Sequence, residues 1–227
     1  MFNDSVDPIV NIAIDGTAGS GKSALAKGIA KALKIKRLNT GEVYRAIACE
    51  YLSKVGEVLD EKKLAEFVKT LKIEILFKDE KQITLINGND YTKYLREEKT
   101  SIFTAQIAQY KEIRKKVLEI QRDFAKKYDC VMEGRDIGRD VLPNAQIKIF
   151  LTAKEEIRAK RRFFDLKDDN ITFEEVLEDL RKRDYADANR EIAPLKIADD
   201  GVLVDNSEMN LDQTIDYCLK LINDKIN

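Results

Sequence analysis

The chain has 227 residues, 44% of them hydrophobic and 36% charged, and its 40 Lys and Arg against 41 Asp and Glu leave a formal net charge of -1. That suits one sizeable core with a small insert under a densely charged soluble surface, and it lacks the basic excess of a nucleic-acid binder. With no histidine in the sequence, histidine triads, histidine general bases and histidine zinc sites are excluded, which leaves chemistry that works by positioning and charge.

The first ten residues, MFNDSVDPIV, carry acids and no long apolar run, so neither a signal peptide nor a membrane span is expected and a cytoplasmic location is. Cys49, Cys130 and Cys218 are far apart, odd in number and without C-x-x-C spacing, which reads as reduced packing thiols and gives no metal site. Residues 10–23, VNIAIDGTAGSGKS, run from an apolar strand into a glycine-rich turn that ends in a lysine and a hydroxyl residue. Gly16, Gly21, Lys22 and Ser23 satisfy the G-x-x-x-x-G-K-[ST] spacing, and Leu25, Ile29, Ala30 and Leu33 then recur at helical spacing. Glycines at 16, 19 and 21 let the backbone wrap a triphosphate with N–H groups inward, and the following helix adds the positive end of its dipole. Lys22 is expected to reach the β- and γ-phosphates and the Ser23 hydroxyl to be a Mg²⁺ ligand, with Gly16, Thr17, Ala18, Gly19, Ser20, Gly21 and Ala24 completing the loop. A chance glycine-rich turn of this form has a frequency of about one per cent.

Further along, residues 36–38 make a short strand, Asn39, Thr40 and Gly41 a turn or helix cap, and residues 42–54 a helix with Val43, Ile47 and Tyr51 on its core stripe and Tyr44 and Arg45 turned elsewhere. A helix over 59–71 and β-rich runs at 73–77 and 83–86, separated by a polar stretch at 78–82 and followed by a turn at 87–90, read as a small antiparallel insert spanning 56–96. Residues 99–127 form a long, interrupted helical region with Ile107, Ile113, Val117, Leu118, Ile120 and Phe124 as its buried set. Residues 130–133 and 147–151 suit central parallel strands, 154–164 and 173–183 are helical, 202–204 is the last strand and 211–226 a closing helix. Alternating strands and helices predict a three-layer α/β core with a parallel sheet of about five strands, built from 1–55 and 97–227, with its ligands beyond the carboxyl ends of the strands.

Three charged groups stand out. Glu133-Gly134-Arg135-Asp136 leaves a buried strand through a tight turn that exposes Arg135 and Asp136 at the ligand edge, although an isolated Gly-Arg-Asp is more often a surface turn. Arg158, Arg161 and Arg162 share one helix face with no acid on it to neutralise all three; they suit a phosphoryl group, or else form a solvated face paired with Asp165 and Asp168. Arg183, Asp184, Asp187 and Arg190 form the third group, in which Arg183, Asp187 and Arg190 lie on one stripe that spacing alone also allows as a salt-bridge ladder.

Together, GTAGSGKS, TGEVYR at 40–45, EGRDIG at 133–138, KIFLTA at 148–153 and RDYADANREIAPLKIADD at 183–200 closely resemble the bacterial-type cytidylate kinases, from about Ile12 to the last helix. The resemblance implies a P-loop kinase core with a monophosphate-binding insert and a short lid near 154–170, transferring the γ-phosphate of ATP to CMP or dCMP with Mg²⁺. It implies Thr40, Arg45, Arg135 and Arg190 at the acceptor, Arg114 and Asp136 on the cytosine, Arg183 and Asp187 on the sugar hydroxyls, and Arg158, Arg161 and Arg162 in the lid, with Lys22, Arg135, Arg158, Arg161 and Arg162 catalytic. A monomer with only small-molecule partners follows from the same resemblance, without nucleic acid or membrane. The chain departs from the pattern at Ala105, where a serine is usual, and at Arg139-Asp140, where a threonine-valine pair is common. Another monophosphate or small-molecule kinase is the main competing reading; a GTP switch is disfavoured because no N-K-x-D signature occurs.

Overall fold

Strand β1 (Asn11–Gly16) is buried on both faces after its first residue, and in the computed structural model, which describes residues 9–78, 81–166 and 171–226, it is the middle strand of a parallel sheet. The order is β2 (Lys36–Asn39), β6 (Cys130–Glu133), β1, β7 (Ile147–Thr152) and β8 (Val202–Asp205). Ile12 and Ile14 pack with Val131, Ile147, Ile149 and Leu151 beneath α1 (Lys22–Leu33) and α8 (Leu211–Ile226). Ala13, Leu38, Cys130 and Met132 face the other way, against α2 (Thr40–Lys54) and α5 (Lys111–Ala125). The pleat therefore divides one sheet between two apolar clusters, giving the three layers that the sequence predicts.

The insert holds α3 (Glu61–Thr70) and an antiparallel sheet of β3 (Ile73–Lys78), β4 (Lys81–Ile86) and β5 (Asn89–Asp90). Two expectations need correcting here. Lys78, Lys81 and Gln82 belong to the paired strands and not to a separating loop, and residues 79–80 between them lie outside the described residues. Asn89 and Asp90 form a third strand, because the tight turn is made by Asn87 and Gly88, both at positive φ (52° and 81°). Leu64, Phe67, Leu71 and Ile86 of the insert join the same apolar cluster as Ile47 and Ile113, so the insert is packed on the core. Polar ties reinforce it: the Gln82 amide exchanges hydrogen bonds with both the N–H (2.8 Å) and the C=O (3.1 Å) of Asn39, and buried Glu50 accepts from Asn87 and Asn89.

The long helical region is divided into α4 (Glu98–Ile107) and α5, and Leu118 and Ile120 are only half-buried where Gln121 is buried instead. After β6 the chain makes a π-helical turn (Ile137–Val141) that hydrophobic spacing did not signal. Its cause is Asp15, whose carboxylate accepts the N–H groups of Ile137 (2.8 Å) and Gly138 (2.7 Å). Helix α6 (Glu155–Leu166) and helix α7 (Phe173–Asn189) follow, α7 running past Arg183 where the sequence reading ends it. The end of the expected lid, residues 167–170 with Asp168, lies outside the described residues. Among the described residues no helix is long and apolar enough to cross a membrane.

Two glycines separate backbone strain from lack of room. At Gly16 φ is 144° and a Cβ would sit 1.9 Å from the carbonyl oxygen of Leu151, whereas Gly88, with φ 81°, has nothing within 4 Å. Gly88→Ala is expected to cost about 1 to 2 kcal/mol from its left-handed backbone alone. Gly16→Ala adds an overlap with a strand carbonyl, which raises the cost by about 1 to 3 kcal/mol more. Urea unfolding of the two variants checks this, and equal losses would contradict it.

Candidate active site

Three segments meet at the carboxyl ends of β1, β2 and β6: the glycine-rich loop, the start of α2, and the 133–136 turn. In the loop Lys22 is buried, and its ammonium donates to the carbonyls of Gly16 (2.8 Å) and Thr17 (2.6 Å). Burial pushes its pKa well below the ordinary lysine value, and the nearby charge of Arg135 acts in the same direction. A cation disfavoured in this way gains from any anion that enters the loop. Ala18 is held from outside: its N–H donates to Asp184 (2.9 Å) and its C=O accepts from Arg158 (2.9 Å).

Ser23 donates to Glu133 at 2.5 Å, while the other oxygen of that carboxylate is buried without a hydrogen-bond partner among the described residues. Arg37 lies 3.6 Å from that second oxygen. Burial raises the Glu133 pKa, with the Ser23 hydrogen bond opposing. A hydroxyl beside an incompletely satisfied carboxylate is a hard-oxygen donor set of the kind that suits Mg²⁺ alongside phosphate oxygens. Thr40 closes this corner by donating to the backbone C=O of Glu133 (2.8 Å). Asp15, behind the loop, is pushed up to about 6, chiefly by burial and against its two backbone hydrogen bonds.

The other face of the cleft is cationic. Arg135 donates to Asp187 (2.6 Å), Arg45 to the Leu95 carbonyl (2.8 Å) and the Ser101 hydroxyl (2.6 Å), and Arg183 is exposed. Burial lowers the Arg45 pKa, and the charges of Arg183, Arg162 and Arg135 lower it further. Arg114 is ion-paired with Asp136, and Arg190 stands 3.8 Å from the same carboxylate with a buried nitrogen that makes no hydrogen bond among the described residues. Gly16, Thr17, Ala18, Gly19, Ser20, Gly21, Ser23 and Ala24 are contiguous in the loop and the first turn of α1.

The helical basic face is the reading that needs most correction. Arg158 is turned inward and paired with Asp184 (2.5 Å), an acid on the next helix that periodicity along α6 cannot reveal. Arg161 is spent on the C-terminal loop, donating to the side chain and backbone of Asn206 (both 2.9 Å), and of the three only Arg162 is exposed. Ala105 is also exposed, and the neighbouring Thr104 hydroxyl donates to the Thr100 carbonyl (2.6 Å).

Glu133, Asp15, Asp184, Arg37 and Tyr44 were passed over as site residues. An acid ending an apolar strand beside the loop strand signals Glu133, and Asp184 stands in the charged cluster at 183–190, whereas Arg37 carries no local signal. Tyr44 is raised to about 12 by burial, and the charges of Arg114, Asp136 and Arg190 all act on it, so its ring is beside their group.

Comparison with known proteins adds independent observations. The cytidylate kinase family model matches residues 12–224. A cytidylate kinase of Clostridium acetobutylicum is 40% identical over 219 residues, covering 96% of this chain and 99% of that protein, and one of Caldicellulosiruptor bescii is 37% identical over 214 residues, covering 93% and 95%. Among solved structures, the shikimate kinase of Bacteroides thetaiotaomicron matches with a TM-score of 0.51 at 11% identity over 94% of this chain and 98% of its own, a likeness of fold. Matched from the start of its first strand into its last helix, and by relatives that align along nearly their whole length, the chain belongs to the cytidylate kinase family.

Proposed function

We propose that the protein transfers the γ-phosphoryl group of ATP to CMP or dCMP, giving ADP and CDP or dCDP. An oxygen of the acceptor phosphate bonds to the γ-phosphorus while the bond from that phosphorus to the β–γ bridging oxygen breaks, and ADP departs with the electron pair. Backbone N–H groups of Gly19 to Ser23 hold the donor phosphates, and Lys22 exchanges its two carbonyl partners for phosphate oxygens. Ser23 and Glu133 are the residues that would hold Mg²⁺, which when bound supplies charge neutralisation at the β- and γ-phosphates. Arg45, Arg135 and Arg190 take the acceptor phosphate, and mutual repulsion among cationic groups in the cleft is relieved when that dianion arrives. Arg183 and Asp187 take the sugar hydroxyls, and exposed Arg162 is the lid residue that meets the transferring group. The insert at 56–96 is the monophosphate-binding unit, and the enzyme is a cytosolic monomer in this reading.

The observation that carries the choice of base is the Arg114–Asp136 pair. Cytosine presents an exocyclic amine donor beside a ring-nitrogen acceptor, which Asp136 and Arg114 complement in turn. Uracil presents a carbonyl and an N–H in those places, and a buried polar mismatch costs about 1 to 3 kcal/mol. Steady-state kcat/KM for CMP, dCMP and UMP is expected to favour both cytosine nucleotides; Asp136→Asn narrows the gap, and Ala105→Ser widens it or leaves it unchanged. A parent protein that prefers UMP, AMP or GMP overturns the cytidylate reading.

Lys22→Ala tests the donor site. Because burial already disfavours the charged form of this lysine, the variant is expected to fold normally while transfer drops at least about a hundredfold through loss of a charge at the developing phosphoryl group. Circular dichroism with coupled ADP detection measures both, and near-normal turnover would sink the donor assignment.

A further inference from the structure

Helix α7 does two things with one face. Asp187, one turn after Arg183, accepts from Arg135 on the acceptor side of the cleft (2.6 Å), and Asp184, three residues before Asp187, reaches the donor loop. Its carboxylate oxygens are divided, one accepting the Ala18 N–H at 2.9 Å and the other pairing with Arg158. Arg158 is 4% exposed, and it also donates to the Ala153 carbonyl (2.8 Å) and the Ala18 carbonyl (2.9 Å). The ion pair therefore grips both polar groups of one residue of the phosphate loop. Packing agrees: a Cβ at Gly19, the next residue, would lie 3.1 Å from both the Arg158 carbonyl oxygen and a Leu180 methyl, so α6 and α7 rest directly on the loop.

We propose that Asp184, acting through Arg158, is a positioning residue that orients the donor loop and fixes its distance from the acceptor groups on the same helix. The Ala18 N–H is held by Asp184, and the Ser20 N–H turns back to the Thr17 carbonyl (3.5 Å), so the path of the loop just before Lys22 is fixed from the α7 side. In this proposal both residues of the pair act on the loop backbone and on each other. Their effect on transfer comes through the loop, whose alignment with the acceptor on α7 is the geometry that in-line displacement needs. The inference rests on the loop being the ATP site, and it gives Arg158 a different task from Arg162 on the same helix.

The experiment is steady-state kinetics of the full chain with ATP and CMP varied separately, in the parent and in Asp184→Asn, Asp184→Glu and Arg181→Ala. Asp184→Asn keeps an acceptor for Ala18 but sets its amide against the Arg158 guanidinium; KM for ATP is expected to rise about tenfold or more while KM for CMP stays within about twofold. Asp184→Glu keeps the charge on a longer stem, and an intermediate rise of about two- to fivefold for ATP is expected. Arg181→Ala removes the surface pair to Glu155 (2.8 Å) that joins the same two helices, and leaves both constants unchanged. Calorimetric binding of a non-hydrolysable ATP analogue repeats the comparison without an acceptor, so a parent that fails to phosphorylate CMP condemns the acceptor reading and not the clamp. Equal losses for ATP and CMP, no loss in Asp184→Asn, or the same loss in Arg181→Ala overturns the proposal. Should Asp184→Asn fail to fold, Asp184→Glu decides: an ATP-selective rise supports the clamp, and no rise or a matching CMP rise refutes it.

Discussion

The site depends first on how β1 leaves the sheet. Gly16 lies opposite Leu151 in the parallel pairing, so close that no side chain fits between them, and from that point the backbone turns out of the sheet into the phosphate loop. Everything chemical is measured from there. Asp15, one residue earlier, reaches across to shape the turn that carries Asp136, and Ala18, two residues later, is gripped by α7. Two carboxylates thus tie the first half of the loop to its surroundings, Asp15 to the backbone of residues 137 and 138 and Asp184 to the Ala18 N–H.

Electrostatic conflict is the second organising feature. Lys22 is buried where its charge is disfavoured, Arg45 and Arg190 have their charged forms disfavoured by burial, and a carboxylate oxygen of Glu133 is buried without a hydrogen-bond partner among the described residues. Such arrangements lower the stability of the ligand-free protein, and charges held in this way mark a site that a ligand of complementary charge would relieve. The acids near the cleft are paired in different ways. Asp187 and Asp184 each pair with one arginine, whereas Asp136 lies between Arg114 and Arg190.

Most of the layer architecture was legible. The apolar runs at β1, β6 and β7 and the helical spacing of α1 and α8 carry their own period, and the glycine-lysine-serine spacing carries its chemistry. Less legible were features whose signal is not local. Asn87 and Gly88 formed a two-residue turn that left Asn89 and Asp90 to pair as a strand, an outcome set by the neighbouring β4 edge. The π-helical turn after Asp136 depended on a carboxylate more than a hundred residues away in the chain.

The sequence by itself determined that a strand, a glycine-rich loop and a helix follow one another, and that arginines recur where the chain returns to the same sheet edge. Those are matters of period and of backbone chemistry, which act over a few residues. Only the tertiary structure decided what each arginine meets. Spacing put Arg158, Arg161 and Arg162 on one helix face, but Arg158 met Asp184 and Ala18, Arg161 met Asn206, and Arg162 is exposed. A charged side chain takes its role from what faces it across space, and those partners come from other segments of the chain, beyond the reach of any local pattern.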